Sequence, residues 1–166
     1  FGISWEAPGP RLNGGNAAIF IADKLNLDII PDYYRQFPKM GENGMADHGV
    51  AYDLMLVILE RALGISDSML IYQFRTGANF IVFIFGSVAI YQLVKRRLNS
   101  TNVGLLAGMF FVLSPRIFAA GFFSPSDMVF ASVLAIGINA SIKFIENGRI
   151  SSSIFAGIIC GYATDI

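Results

Sequence analysis

The sequence has little of what soluble enzymes and metal-binding proteins depend on. Only 14% of its 166 residues are charged, against about a quarter in soluble domains. It contains one cysteine, Cys160, and one histidine, His48. These numbers exclude a disulfide framework, a thiolate cluster and a histidine-based metal site, so we predict no metal ligands. Twelve basic and twelve acidic residues cancel, and the charge therefore gives no reason to expect nucleic acid as a partner.

Hydrophobic residues, in contrast, make up 54% of the chain. A transmembrane helix needs about 20 predominantly apolar residues, and charge-free stretches of that length recur after Arg75. We predict an all-α, polytopic transmembrane protein with spans at about residues 72–94, 103–123, 128–146 and 150–166. Both ends look like truncations, so we expect one further transmembrane helix before Phe1 and more beyond Ile166. Cys160 lies in an apolar run, where we expect it to pack against lipid or a neighbouring helix.

Basic residues indicate how the spans cross the membrane, because cytoplasmic connections are rich in lysine and arginine. Two connections carry such clusters, the first with Lys95, Arg96 and Arg97, the third with Lys143 and Arg149. Residues 1–70 are then an extracytoplasmic first loop, and residues 71–166 form the membrane domain. The loop should contain helices at about residues 16–25 and 52–63, the second too short to span and suited to the interface. We interpret Gly14-Gly15 as loop glycines.

Charged side chains cluster on the predicted extracytoplasmic side. A carboxylate beside arginines can deprotonate an acceptor hydroxyl while guanidinium groups hold a lipid-linked phosphate. Ordinary ion pairs at the membrane interface use the same residue types. For any one of these residues taken alone, such an ion pair is the alternative to a functional role. The candidates for binding donor phosphate or substrate are Arg11, His48, Asp53, Arg75, Arg116 and Asp127.

Arg116 differs from the other candidates because it lies inside a predicted span, directly after Ser114-Pro115. An unpaired guanidinium at that depth is costly, so we expect a carboxylate or phosphate partner. Snorkelling of the side chain to the interface is the alternative.

Five short blocks of the sequence resemble membrane glycosyltransferases of the C superfamily, in the protein-mannosyltransferase and aminoarabinose-transferase branch. They follow one another in the family's order and cover almost the whole chain. The blocks are Gly2-Ile3-Ser4-Trp5-Glu6-Ala7-Pro8, Asp47-His48-Gly49-Val50-Ala51-Tyr52-Asp53-Leu54, Ile71-Tyr72-Gln73-Phe74-Arg75, Leu113-Ser114-Pro115-Arg116-Ile117-Phe118 and Phe122-Phe123-Ser124-Pro125-Ser126-Asp127.

The resemblance implies an integral membrane enzyme, most simply of a plasma or bacterial inner membrane. It implies a polyprenyl-phosphate sugar as donor, and a hydroxyl on a protein, lipid or glycan as acceptor. Inverting transfer would be catalysed by the acidic residue of the first loop, which by position is Glu6. The family has Asp-Glu where this sequence has Glu6-Ala7, a change that predicts slowed or altered activity because a base needs accurate geometry. The resemblance leaves the divalent metal requirement open.

Two alternatives from other classes remain at this point. Arg75, Arg116 and Asp127 could line the path of a transporter, since charges inside membrane segments often mark ion or substrate routes. The Glu6-Ala7 change would also suit a non-catalytic member of the family that acts as a membrane partner protein.

Overall fold

The computed structural model describes residues 8–25, 49–123 and 125–166, and this part of the chain is helical, without strands. Two helices are long and apolar enough to cross a membrane, Ser68–Leu98 and Ser126–Asn147. These observations confirm the predicted all-α membrane class. The helices are α1 (Pro8–Leu25), α2 (Ala51–Ala62), α3 (Ser68–Leu98), α4 (Thr101–Leu113), α5 (Pro115–Phe123), α6 (Pro125–Asn147) and α7 (Ile150–Ala163).

The chain divides into two compact units. The first comprises Phe1–Arg75 with Asp165–Ile166, and the second comprises Thr76–Thr164. Helix α3 contributes its first two turns to the first unit and the rest of its length to the second. The predicted boundary at residue 70 and the predicted orientation of the spans stay predictions.

Helix α1 begins earlier than the sequence pattern indicates, at Pro8 rather than near residue 16. Prolines are tolerated in a first helical turn, because the missing N–H would have no intrahelical acceptor there. Gly14 and Gly15 are therefore helical and buried, and their assignment to a loop was wrong. A Cβ atom on Gly14 would stand 2.6 Å from the backbone carbonyl of Asp53, so glycine allows α1 and α2 to approach closely. Packing outweighs the low helix propensity of glycine at this contact.

Helix α2 is amphipathic and has 12 residues, too few to span a bilayer. Its buried positions are Tyr52, Leu56, Val57 and Glu60, which repeat at intervals of three and four and share one face. The face opposite exposes large apolar side chains, including Ile58. This pattern suits a helix that packs on one side and lies against lipid on the other.

In the second unit, α3 and α4 form an antiparallel helical hairpin. The turn uses Asn99 with a positive φ of 49°, and the Ser100 hydroxyl accepts a hydrogen bond from the Val103 N–H at 3.4 Å to cap α4. A Cβ atom on Gly104 would stand 2.9 Å from the Lys95 Cβ, which shows how closely the backbones approach. Further along the hairpin, the ring centroids of Phe83 and Phe111 are 5.4 Å apart.

The predicted span at residues 103–123 consists of two helices in the structure. Ser114 is extended, with φ −60° and ψ 117°, and α5 begins at Pro115. A residue before proline is driven out of the helical region by the proline ring, which explains the break. Arg116 therefore lies in the first turn of a new helix and is exposed, rather than in the middle of a continuous span.

Small residues set the packing of α3, α6 and α7. A Cβ atom on Gly86 of α3 would meet the Ser132 side chain of α6 at 2.6 Å, and one on Gly137 would meet the Cys160 sulfur of α7 at 3.2 Å. Such contacts bring membrane helices close enough for extensive van der Waals packing. The Cys160 sulfur also lies 3.7 Å from the Ser141 hydroxyl, across the same pair of helices.

Candidate functional site

Helix α2 places two carboxylates on one face, two turns apart. Asp53 lies in its first turn and Glu60 near its end, a spacing of seven residues that returns to the same side of a helix. Leu56 and Val57 lie between them and are buried. Only 13% of the Asp53 side chain and 2% of the Glu60 side chain are exposed.

Arg75, in the second turn of α3, binds both carboxylates. Its Nε donates to Glu60 Oε1 at 2.5 Å, and its Nη1 donates to Asp53 Oδ1 at 3.2 Å. The guanidinium is itself only 8% exposed. Within the described part of the chain, its buried Nη2 has no hydrogen-bond partner. Arg75 thus binds two acidic side chains inside the first unit, and its Nη2 stays available as a hydrogen-bond donor.

Burial raises the pKa of Asp53 to about 6, and the negative charge of Glu60 acts in the same direction. The charge of Arg75 and its hydrogen bond oppose this shift without cancelling it. A carboxyl group with a pKa near 6 exchanges its proton close to neutral pH, which is the property that general acid–base chemistry requires.

Arg11 belongs to the same neighbourhood. Its guanidinium carbon lies 5.6 Å from the centre of the Tyr72 ring, one turn before Arg75 on α3. One turn further along α1, Gly14 packs against the backbone of Asp53. Three of the predicted binding residues, Arg11, Asp53 and Arg75, are therefore gathered by α1, α2 and the start of α3.

The other predicted residues are not part of this cluster in the described structure. Arg116 and Asp127 are both exposed and lie in the second unit, in the first turns of α5 and α6. Among the described residues Arg116 has no ion-pair partner, so the expected carboxylate or phosphate partner stays a prediction. Glu6 and His48 lie outside the described residues. Within residues 8–25, 49–123 and 125–166, no three histidine, cysteine or acidic side chains are grouped to hold a metal ion.

Glu60 is the residue that the sequence analysis missed. It lies in the predicted interfacial helix at residues 52–63 but was not among the candidate residues, whereas the structure buries it against Arg75. The available signal was its spacing of seven from Asp53, which places the two carboxylates on one helix face. A pair of acidic residues on the buried side of an apolar helix predicts a cationic partner, because an isolated charge is not buried.

Residues 74–166, more than half of the chain, match the family described as dolichyl-phosphate-mannose-protein mannosyltransferase. This match confirms the resemblance noted in the sequence and includes Arg75, Arg116 and Asp127. No curated protein and no solved structure matches the chain. The chain belongs to the dolichyl-phosphate-mannose-protein mannosyltransferase family, a family of integral membrane glycosyltransferases of the C superfamily.

Proposed function

We propose that the protein transfers a sugar from a polyprenyl-phosphate donor to an acceptor hydroxyl on the extracytoplasmic side of the membrane. The family description, which names a dolichyl-phosphate-linked mannose, supports the class of donor. The observation that carries the proposal is the Arg75–Asp53–Glu60 cluster. In it, the Asp53 carboxyl group has a pKa of about 6 and is hydrogen-bonded to the buried guanidinium of Arg75.

The proposed reaction forms a bond between the acceptor oxygen and the anomeric carbon while the bond from that carbon to the phosphate oxygen breaks. Attack from the face opposite the phosphate inverts the anomeric centre. Glu6 takes the proton of the acceptor hydroxyl, and the electron pair of the broken bond stays on the polyprenyl phosphate. Arginine side chains bind that phosphate well, because their planar guanidinium groups match its oxygens.

Arg11, Arg75 and Arg116 are each proposed, one by one, as residues that bind donor phosphate or substrate. Arg75 is engaged by two carboxylates and also positions Asp53. Asp53, His48 and Asp127 are proposed to contact donor or acceptor. The acceptor is a hydroxyl on a protein, a lipid or a glycan.

The catalytic role of Glu6 is tested in membranes that contain the intact protein, with radiolabelled polyprenyl-phosphate mannose as donor. Glu6→Gln should keep donor binding and lower transfer about a hundredfold, as expected when a general base is removed. Asp23→Asn removes an exposed carboxylate of α1 and should transfer at the parental rate. Parental activity in Glu6→Gln would move the base to Asp53, which Asp53→Asn then tests. Transfer by none of these proteins, parent included, would favour a non-catalytic family member.

The proposed orientation is tested separately with single-cysteine proteins. Cys160→Ser removes the native thiol. Ser66→Cys then introduces an exposed thiol on the first unit, and Asn147→Cys introduces one at the end of α6. An impermeant maleimide applied to sealed cells should label Ser66→Cys directly and Asn147→Cys only after permeabilisation. The reverse result would contradict the extracytoplasmic site.

A further inference from the structure

The second unit contains an open cleft of about 570 Å³ between α3, α6 and α7. This volume lies within the range of about 300–1,000 Å³ that is typical of small-molecule sites. Most of its lining is apolar, and includes Val82, Val88, Val133 and Phe155. The cleft is separate from the cluster around Arg75, since its lining residues all belong to the second unit.

Polarity in this cleft changes along the helix axes. Helices α3 and α6 run in the same direction, because Gly86 packs on Ser132 and Arg96 bonds to Asn139 further along both helices. Going in that direction, the lining changes from valine and phenylalanine to Gln92, Asn139 and Lys143, and Ser151 and Ser152 join it at the start of α7. One end of the cleft is therefore mostly apolar, with Tyr162 near it as a polar side chain, and the other end is polar and basic.

The length of the cleft matches one half of a bilayer. Val82 and Gln92 are separated by ten residues of α3, or about 15 Å of helix. The hydrocarbon core of a membrane is about 30 Å thick, so one leaflet of acyl chains is about 15 Å deep. An acyl chain that enters from the basic end would reach the middle of the membrane at the apolar end.

Lys143 is the cation of the cleft lining that can bind a ligand. Arg96 is engaged, because its guanidinium donates to Asn139 Oδ1 at 2.9 Å and to Glu146 Oε2 at 3.4 Å. Asn139 in turn donates to Gln92 Oε1 at 3.2 Å. Lys143 is exposed and has no hydrogen bond or ion pair within the residues that the structure describes. The hydroxyls of Ser151 and Ser152 and the N-terminus of α7 add donors and positive potential at the same end.

We propose that this cleft binds a bilayer phospholipid with an anionic headgroup. One acyl chain lies along the apolar wall, and the headgroup phosphate is bound by Lys143 and the two serine hydroxyls. The ligand belongs to the membrane around the protein and is distinct from the sugar donor and acceptor. Basic pockets between membrane helices are a known way of recognising anionic lipid headgroups.

The test measures how many lipids stay bound to the purified intact protein in native mass spectrometry. Phosphatidylglycerol and phosphatidylcholine with identical acyl chains are supplied at equal concentration. The parent protein should retain the anionic lipid about fivefold more than the zwitterionic one, and Lys143→Gln should abolish this preference, as expected for one cation near a charged headgroup. Arg97→Gln removes an exposed cation from the same end of α3, outside the cleft, and should keep the preference.

A second pair of variants tests where the acyl chain binds. Val88→Phe fills the apolar part of the cleft and should lower retention of both lipids, whereas Val103→Phe adds the same bulk to α4 outside it. The proposal is overturned if the parent retains both lipids equally, if Arg97→Gln acts like Lys143→Gln, or if Val88→Phe has no effect. It is also overturned if a photoreactive residue at position 155 crosslinks to another polypeptide segment instead of lipid.

Discussion

Two arginines of the same helix, Arg75 in the first unit and Arg96 in the second, differ in how deeply they and their carboxylate partners are buried. Arg75 is 8% exposed and is bound by two carboxylates that are themselves buried. Arg96 is 30% exposed, and its carboxylate partner Glu146 is 43% exposed. The three charges around Arg75 are held inside the first unit, where each depends on the others. Arg96 and Glu146 lie near helix ends in the second unit, where water or lipid headgroups can replace a lost partner.

The largest effect is expected from Arg75→Met. This change leaves Asp53 and Glu60 buried without their cation, and breaking a buried ion pair from one side costs about 3–5 kcal/mol. Hydrogen exchange of α2, residues 51–62, should report the loss as faster opening of the first unit.

The control for that experiment is Arg96→Met, in the second unit. An ion pair this exposed contributes about 0–1 kcal/mol, and the hydrogen bond to Asn139 contributes about as much. Exchange in α6 should therefore change less than exchange in α2 does in Arg75→Met. Equal effects of the two substitutions would contradict the contrast between buried and exposed charge. A double change of Asp53→Asn and Glu60→Gln in the Arg75→Met protein should recover part of the stability, because no uncompensated carboxylate then remains.

The next effect concerns Gly14, which brings α1 against the carboxylate-bearing helix. A Cβ atom there would stand 2.6 Å from the Asp53 carbonyl, so Gly14→Ala must push α1 and α2 apart at a cost of about 1–3 kcal/mol. Gly157→Ala is the control, since a Cβ atom in that part of α7 meets nothing within 4 Å. It should be neutral or stabilise α7 by up to about 1 kcal/mol, through helix propensity alone. Comparable losses in a thermal-unfolding assay would refute the close contact.

A smaller effect is expected from pH. Burial raises the pKa of Asp53 to about 6 from its ordinary value of 3.8. Between about pH 4 and pH 6 the folded first unit therefore binds more protons than the unfolded chain, and its stability decreases as the pH rises through this range. The contribution of Asp53 is on the order of 1 kcal/mol per pH unit there.

Asp53→Asn should remove that component of the pH dependence, measured as hydrogen exchange of α2 corrected for intrinsic exchange rates. Asp67→Asn, at an exposed position before α3, is the control for the loss of one carboxylate. A parental slope that persists in Asp53→Asn would mean that another group titrates in this range.

The comparison also explains what could be predicted from the sequence. Apolar runs predicted the helical membrane class. A charged side chain is costly in lipid, so membrane helices appear in the sequence as long stretches without charged residues. The start of α1 was missed because the glycines that make it pack look like loop residues in isolation. Glu60 was missed because its partner lies 15 residues away, and only tertiary contact shows that its charge is buried. The break at Ser114 was readable from Pro115, but the apolar run on both sides concealed it.

The smallest effect is expected inside the second unit, at Ser132. Its side chain is fully buried, and in the described part of the chain its hydroxyl has no hydrogen-bond partner. Ser87 and Ser141 differ, because each donates to the carbonyl four residues earlier in its own helix, at 2.8 Å. Ser132→Ala therefore loses no hydrogen bond and keeps the Cβ atom that packs on Gly86.

We expect Ser132→Ala to be neutral or to stabilise the protein by up to about 1 kcal/mol, because it removes a buried polar group without a partner. Ser87→Ala and Ser141→Ala each remove a formed hydrogen bond within a helix and should cost no more than about 0.6 kcal/mol, the average for side-chain hydrogen bonds between membrane helices. Denaturation in sodium dodecyl sulfate, followed by circular dichroism, resolves the sign of the difference. A loss of more than about 1 kcal/mol in Ser132→Ala would mean that the hydroxyl has a partner, and charge and polarity would then be as tightly matched in the second unit as around Arg75.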